Sequence, residues 1–94
     1  MKKFLLVGLG NIGHPYTNTR HNIGFSVLDA LASKWELGFE DRKSAMLTRK
    51  NYKGKSFILI KPTTLMNRSG KAVRYWALKE NIPLQNILII TDDL

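Results

Sequence analysis

The residues best suited to chemistry in this 94-residue chain lie in polar stretches that follow apolar runs. Residues 8–24, GLGNIGHPYTNTRHNIG, form the longest and hold Asn11, His14, Tyr16, Arg20 and His21. Met66 and Asn67 lie in a second, Asp92 and Asp93 in a third. A histidine whose Nδ1–H meets a carboxylate is a general base held in one tautomer. Asparagine carboxamides are neutral donors for a developing oxyanion. The chain has no cysteine, and no serine is obviously paired with His21. The set His21, Asp92, Asn11 and Asn67 therefore suits direct activation of water rather than a covalent intermediate.

Such groups act together only if a fold carries them to one place. Residues 3–9, apolar without alternation from Phe4 onward, read as a central, parallel-paired strand. Asn22 reads as the N-cap of a helix to about Trp35. Phe25, Leu28, Ala32 and Trp35 share its inner face beside Leu31, and Gly38 is its expected stop. Residues 40–43 read as a charged connector. Alternation over 45–52 predicts a strand with one wet face, Lys53-Gly54 a turn, and 56–61 the second strand of a hairpin ended by Pro62. Residues 63–68 form a loop, and Ser69 is read as the cap of a helix to about Asn81, with Val73, Trp76, Ala77 and Leu78 inward. Residues 87–90 are a fourth apolar strand.

The order β-α-β-β-α-β predicts one α/β domain over residues 1–94, a layered fold with a mixed β-sheet. Ligands of open α/β sheets sit beyond the carboxyl ends of strands. Asn11, His21, Met66, Asn67 and Asp92 all fall in segments attached to those ends. Two helices are expected to cover one side of a four-stranded sheet well. A buried-looking strand close to the last residue predicts an open edge that favours association.

Composition bounds the alternatives. The length fits one small domain, and 44% hydrophobic residues are usual for a globular protein. Without cysteine, neither disulfides nor thiolate metal sites reinforce it. The opening apolar run is too short for a signal-peptide core, and no stretch approaches the roughly 18 apolar residues of a membrane span. Fifteen Lys+Arg against seven Asp+Glu give a net charge of +8. That balance favours a polyanionic partner, because neutralised phosphates release counterions.

Residues 8–13 match G-x-G-x-x-G, formally a dinucleotide fingerprint. That site needs a helix to begin within the glycines, and Pro15 disfavours one at His14. Asp29 has the spacing of the fingerprint's acidic residue but falls inside the first helix. The glycines are read instead as serving a tight loop. Asp92 and Asp93 offer fewer oxygens than a Mg²⁺ site wants. His14 reads as a solvated loop residue, and Trp35, Trp76 and Phe25 as core.

Three blocks carry a specific likeness. They are Gly8-Leu9-Gly10-Asn11-Ile12-Gly13 with Tyr16 and Thr19-Arg20-His21-Asn22-Ile23-Gly24; Lys61-Pro62-Thr63-Thr64-Leu65-Met66-Asn67-Arg68-Ser69-Gly70; and Ile89-Ile90-Thr91-Asp92-Asp93-Leu94. In order and spacing they resemble the bacterial-type peptidyl-tRNA hydrolases. The resemblance implies hydrolysis of the ester joining a peptide to the 3′ end of tRNA, a cytoplasmic step that recycles tRNA for translation. It implies His21 as general base toward water and Asp92 as the residue that orients and polarises it. It implies that Asn11 and Asn67 bind the peptide part and help position or stabilise the reacting carbonyl. Tyr16 would line the site near the tRNA 3′ end, and Met66 would form its apolar wall. Peptidyl-tRNA is the implied partner, and neither a metal nor an organic cofactor is implied.

Members of that family run to about twice this length, an ordinary single-domain size. The likeness therefore makes the chain the N-terminal half of the family domain. A later loop with a third functional asparagine, further strands, a helical lid and several tRNA-holding basic residues are expected to be missing. Weak or absent activity is the expectation for such a chain. The alternative is a non-catalytic, self-associating fragment with weak RNA affinity, whereas full-length members are expected to be monomers.

Overall fold

The apolar runs at 4–9 and 57–60 become inner strands of one sheet, and the run at 87–90 becomes a strand at its edge. The computed structural model describes residues 1–10, 23–64 and 69–91. Within them the chain runs β1 (Lys2–Gly8), α1 (Ile23–Lys34), β2 (Glu40–Arg42), β3 (Ala45–Tyr52), β4 (Lys55–Pro62), α2 (Ser69–Lys79), a 3-10 turn (Leu84–Asn86) and β5 (Ile87–Ile90). The sheet order is β2-β3-β4-β1-β5. β1 is central and parallel to both neighbours, with Leu6 opposite Leu59 of β4 and Leu88 of β5. β2, β3 and β4 form an antiparallel meander. The α/β fold with a mixed sheet is as expected.

Five strands are present among the described residues where four were expected. β2 lies in the stretch read as a connector. Its three residues are charged and exposed, and it pairs through backbone, Glu40 opposite Leu47. A short charged edge strand carries no apolar signal, and that is how sheets blunt their edges. The β3–β4 hairpin turns at Lys53-Gly54 as read, with φ of 51° and 78°. Two positive φ values match the twist of the flanking strands. Pro62 is the last residue of β4 rather than the stop beyond it.

The two helices lie on opposite faces of the sheet, as strands apolar on both faces require. Leu5, Val7, Ala45, Leu47, Ile58 and Ile60 pack with Trp76 of α2 and with Ile82. Gly8, next along β1 and so on the other face, lies against Gly24 and Leu28 of α1. Each fully buried Leu, Ile or Val contributes about 2 kcal/mol through burial. Leu28 and Ala32 of α1 are buried as expected. On α2 the buried positions are Ser69, Ala72 and Trp76. Leu78 is 68% exposed, contrary to its expected inward position. It lies two residues past Trp76, about 200° around the helix at 3.6 residues per turn. Ser69 is the first helical residue, not the cap before it.

Both helices end in a Schellman arrangement. The Leu37 N–H donates to Ala32 O at 2.8 Å and Glu36 N–H to Ser33 O at 3.1 Å; Ile82 and Asn81 repeat this on Ala77 and Leu78. Glu36 and Asn81 hold the left-handed conformation, each at φ 57°. The stop of α1 is therefore Glu36 rather than Gly38. At the end of α2 the same turn sends Ile82 into the core.

An ion-pair cluster ties that end of α2 to the sheet. Arg49 of β3 grips Glu80 with its two terminal guanidinium nitrogens, at 3.3 and 3.1 Å. Lys3 of β1 donates to the Glu80 carbonyl at 3.2 Å and reaches its carboxylate at 3.5 Å. A carboxylate at a helix C-terminus opposes the helix dipole, and these two cations offset that. The Arg49 hydrogen bond, helped by the Arg49 and Lys3 charges and opposed by burial, holds Glu80 below the ordinary glutamate pKa. A depressed carboxylate pKa adds stability above the unfolded-state value, lost as pH falls through the folded-state value. Urea midpoints of the native chain and Glu80→Gln, followed from neutral pH downward, should therefore converge below the ordinary glutamate range. A constant gap at acid pH would contradict this assignment.

Candidate functional site

The carboxyl ends of β4, β1 and β5 lie side by side, adjacent strands being about 4.8 Å apart. Val7 is level with Ile60, and Gly8 with Ile90. The Leu9 N–H continues the ladder to Ile90 O at 2.9 Å. Three polar segments leave from this edge: after Gly10, after Thr64 and after Thr91.

Two helices begin at the same edge. A Cβ on Gly24 would collide with the Ile90 carbonyl and with the Leu9 backbone. A Cβ on Gly8 would collide with the Gly24 carbonyl and lie 2.8 Å from Leu28 Cγ. The first turn of α1 is thus seated on the ends of β1 and β5, backbone against backbone. Glycine is required at both positions because no side chain fits between. At the start of α2, Ser69 and Gly70 line a groove with Leu9 and Ile89. Both helix N-termini, with their partial positive charge, therefore stand at this edge.

All six expected site residues lie outside the described residues: Asn11, Tyr16, His21, Met66, Asn67 and Asp92. So do Gly13, His14 and Asp93. The described residues that bracket them are placed. Gly10, Thr91 and Ile23 flank the segments holding Asn11, Asp92 and His21, and Thr64 and Ser69 bracket Met66 and Asn67.

Two features at the edge were not singled out in the sequence. Thr64 Oγ1 is buried without a hydrogen-bond partner among the described residues. A threonine before a loop gives no sequence cue to that. The Gly8–Gly24 contact was equally hidden, because sixteen positions separate two glycines of unremarkable type. Asp29 lies on α1 as read, and its carboxylate accepts from Lys61 Nζ at 2.5 Å. The same ammonium stands 4.1 Å from the Phe39 ring centre. The residue with the fingerprint's acidic spacing is thus in an ion pair on α1.

Fold and edge define a mixed-sheet α/β protein in which three further segments attach where parallel strands end. The family model described as peptidyl-tRNA hydrolase matches residues 5–94, and the chain belongs to that family. A peptidyl-tRNA hydrolase of Bacteroides fragilis is 61% identical over 92 residues, covering 98% of this chain and 49% of that protein. One from a Thermoanaerobacter strain is 42% identical, covering 96% and 50%. The crystal structure of peptidyl-tRNA hydrolase from Acinetobacter baumannii superposes with a TM-score of 0.84 at 38% identity, covering 92% of this chain and 45% of that one. The chain spans about half the length of the curated relatives it matches.

The Gly24 contact yields a paired prediction. Gly24→Ala should destabilise the chain by about 3 kcal/mol or more, because backbone on both sides must move. Gly70→Ala meets open space and should be neutral or stabilising by up to about 1 kcal/mol. Denaturant midpoints of the two variants check this. Equal, small effects would mean that α1 is not seated on the strand ends.

Proposed function

We propose that this chain carries part of the catalytic centre of a peptidyl-tRNA ester hydrolase. The observation that supports it most is the shared edge. In a chain of this family, the segments holding His21, Asp92, Asn11 and Asn67 all attach where β1, β4 and β5 end and α1 and α2 begin.

In this reading His21 takes a proton from water, whose oxygen attacks the ester carbonyl. Asp92 accepts the other imidazole N–H and fixes the tautomer that makes this possible. The oxyanion that forms is met by carboxamide N–H groups of Asn11 and Asn67. The carbon–oxygen bond to the ribose then breaks. The imidazolium returns its proton to the departing ribose oxygen, leaving a free peptide acid and a free tRNA 3′ end. Tyr16 lines the side nearer the tRNA end, and Met66 gives the peptide an apolar wall. No step calls for a metal or an organic cofactor. The cytoplasm is the compartment that holds this substrate. No helix among the described residues is long and apolar enough to cross a membrane.

One observation favours a second reading, a self-associating chain with weak RNA affinity. β5 is an edge strand, and its Leu88 and Ile89 are 56% and 50% exposed on opposite faces. Beside it runs an apolar groove of about 380 Å³ lined by Leu9, Val73, Ala77, Ile82 and Ile87. A second copy pairing along β5 would cover both.

The two readings separate in one preparation. Peptide release from peptidyl-tRNA by the chain should be weak, and His21→Ala should abolish it, as loss of a general base costs roughly 10²–10⁴-fold. Robust release that survives His21→Ala would overturn the catalytic assignment. Sedimentation at several concentrations reports association, and a strictly monomeric chain would dispose of the second reading.

A further inference from the structure

The charge of the chain is not evenly used. Lys3, Arg42, Arg49 and Lys61 are paired with Glu80, Glu40, Glu80 and Asp29. At the amino ends of β1 and β4, about 20 Å along the strands from the candidate site, Lys2 and Lys55 have no such partner, and neither do Lys34, Lys71, Arg74 and Lys79 elsewhere among the described residues. Lys2 stands level with Lys55, Lys55 level with Tyr52, and Lys50 level with Phe57. Register partners share a face, so Lys2, Lys50 and Lys55 project from one side of the sheet, with Lys53 at the hairpin tip. None of the four forms an ion pair among the described residues. Like charges directly opposite across a sheet are destabilising. Lys2 and Lys55 hold that arrangement.

The same face carries a row of rings. Phe4 stacks on Phe57 at 5.4 Å between centres, Phe57 meets Trp35 at 5.8 Å, and Trp35 stacks on Tyr52 at 6.4 Å. Tyr52 ends the row and is 46% exposed. The Lys53 ammonium lies over its ring, 5.3 Å from the centre. Lys53 holds φ 51°, where asparagine or glycine is the usual occupant of a two-residue turn. A lysine kept there at some conformational cost places its ammonium beside the ring.

We propose that this end of the sheet is a docking surface for RNA, with Lys2, Lys50, Lys53 and Lys55 on backbone phosphates and Tyr52 as the platform for an unpaired base. Lysines set around an exposed, rigidly backed ring are the pattern that holds single strands without reading sequence. A base arriving on Tyr52 replaces the Lys53 ammonium, which moves to a phosphate. The surface is separate from the strand ends that carry the candidate catalytic residues, so it stands or falls independently of the ester chemistry.

The test is fluorescence anisotropy of the chain with a short labelled single-stranded RNA, free of any ester, across a salt series. Substituting Lys50, Lys53 and Lys55 together by glutamine should weaken binding and reduce the slope of log K against log salt by about 2, at roughly 0.7 per phosphate contact. Tyr52→Leu should weaken binding about tenfold, the scale of one lost base stack. Tyr52→Phe should retain binding, which separates loss of the ring from loss of the fold. Substituting Lys71, Arg74 and Lys79 on α2 by glutamine controls for charge alone. The proposal is overturned if that triple lowers affinity and slope as much as the hairpin triple does. It is also overturned if Tyr52→Leu binds like the native chain.

Discussion

The close approach of Gly24 to the Leu9 backbone and the Ile90 carbonyl, with Gly8 beneath it, is the contact on which this structure depends. Strand pairing sets β1 and β5 side by side but says nothing about where the following helix begins. Two glycines in contact remove the side-chain thickness that would hold α1 away from the sheet. The helix is therefore seated on the strand ends, and the chain that enters it arrives at that edge. The same geometry accounts for the hidden cost of the fold. Two positions lack side chains in a small domain whose core rests on a handful of buried Leu, Ile and Val residues.

Electrostatics divide the molecule into used and unused charge. Glu80 draws Arg49 and Lys3 together where three elements meet, at the C-terminal end of α2, and so works in the fold. Asp29 and Lys61 join α1 to β4 in the same way. What remains at the hairpin tip is a group of lysines with aromatic backing and no carboxylate bound to them. Among the described cations, Arg49, Lys3 and Lys61 thus tie elements of the fold together, and the lysines at the hairpin end are the ones proposed to meet RNA. The strand direction separates these from the candidate catalytic edge, so one sheet can serve a chemical end and a docking end.

Much of the fold was legible because its signals are local. Continuous apolar runs at 4–9 and 87–90, alternation over 45–52 and the Lys53-Gly54 turn each specify an element within a few residues. β2 was not legible, because a charged strand held by backbone pairing has no side-chain pattern. Glu36 was not legible as a helix stop, because Gly38, the conventional residue, lies two positions further on. Leu78 was misjudged for being apolar, whereas helical geometry turns it from the core. Of the candidate site, only residue types and motifs can be read, a histidine, an aspartate and two asparagines in segments that attach at one edge, and those four residues lie outside the described ones. The seating of that edge was not legible, since nothing in the sequence announces that Gly8 and Gly24 touch.

The central claim is that Asp92 holds the His21 imidazole in the tautomer a general base requires. Nitrogen NMR of the neutral imidazole, in the native chain and in Asp92→Asn, tests it most directly. The account predicts that the native ring carries its proton on Nδ1 and that the substitution removes this preference, with His14 unaffected. The same tautomer distribution for His21 in both proteins would contradict it.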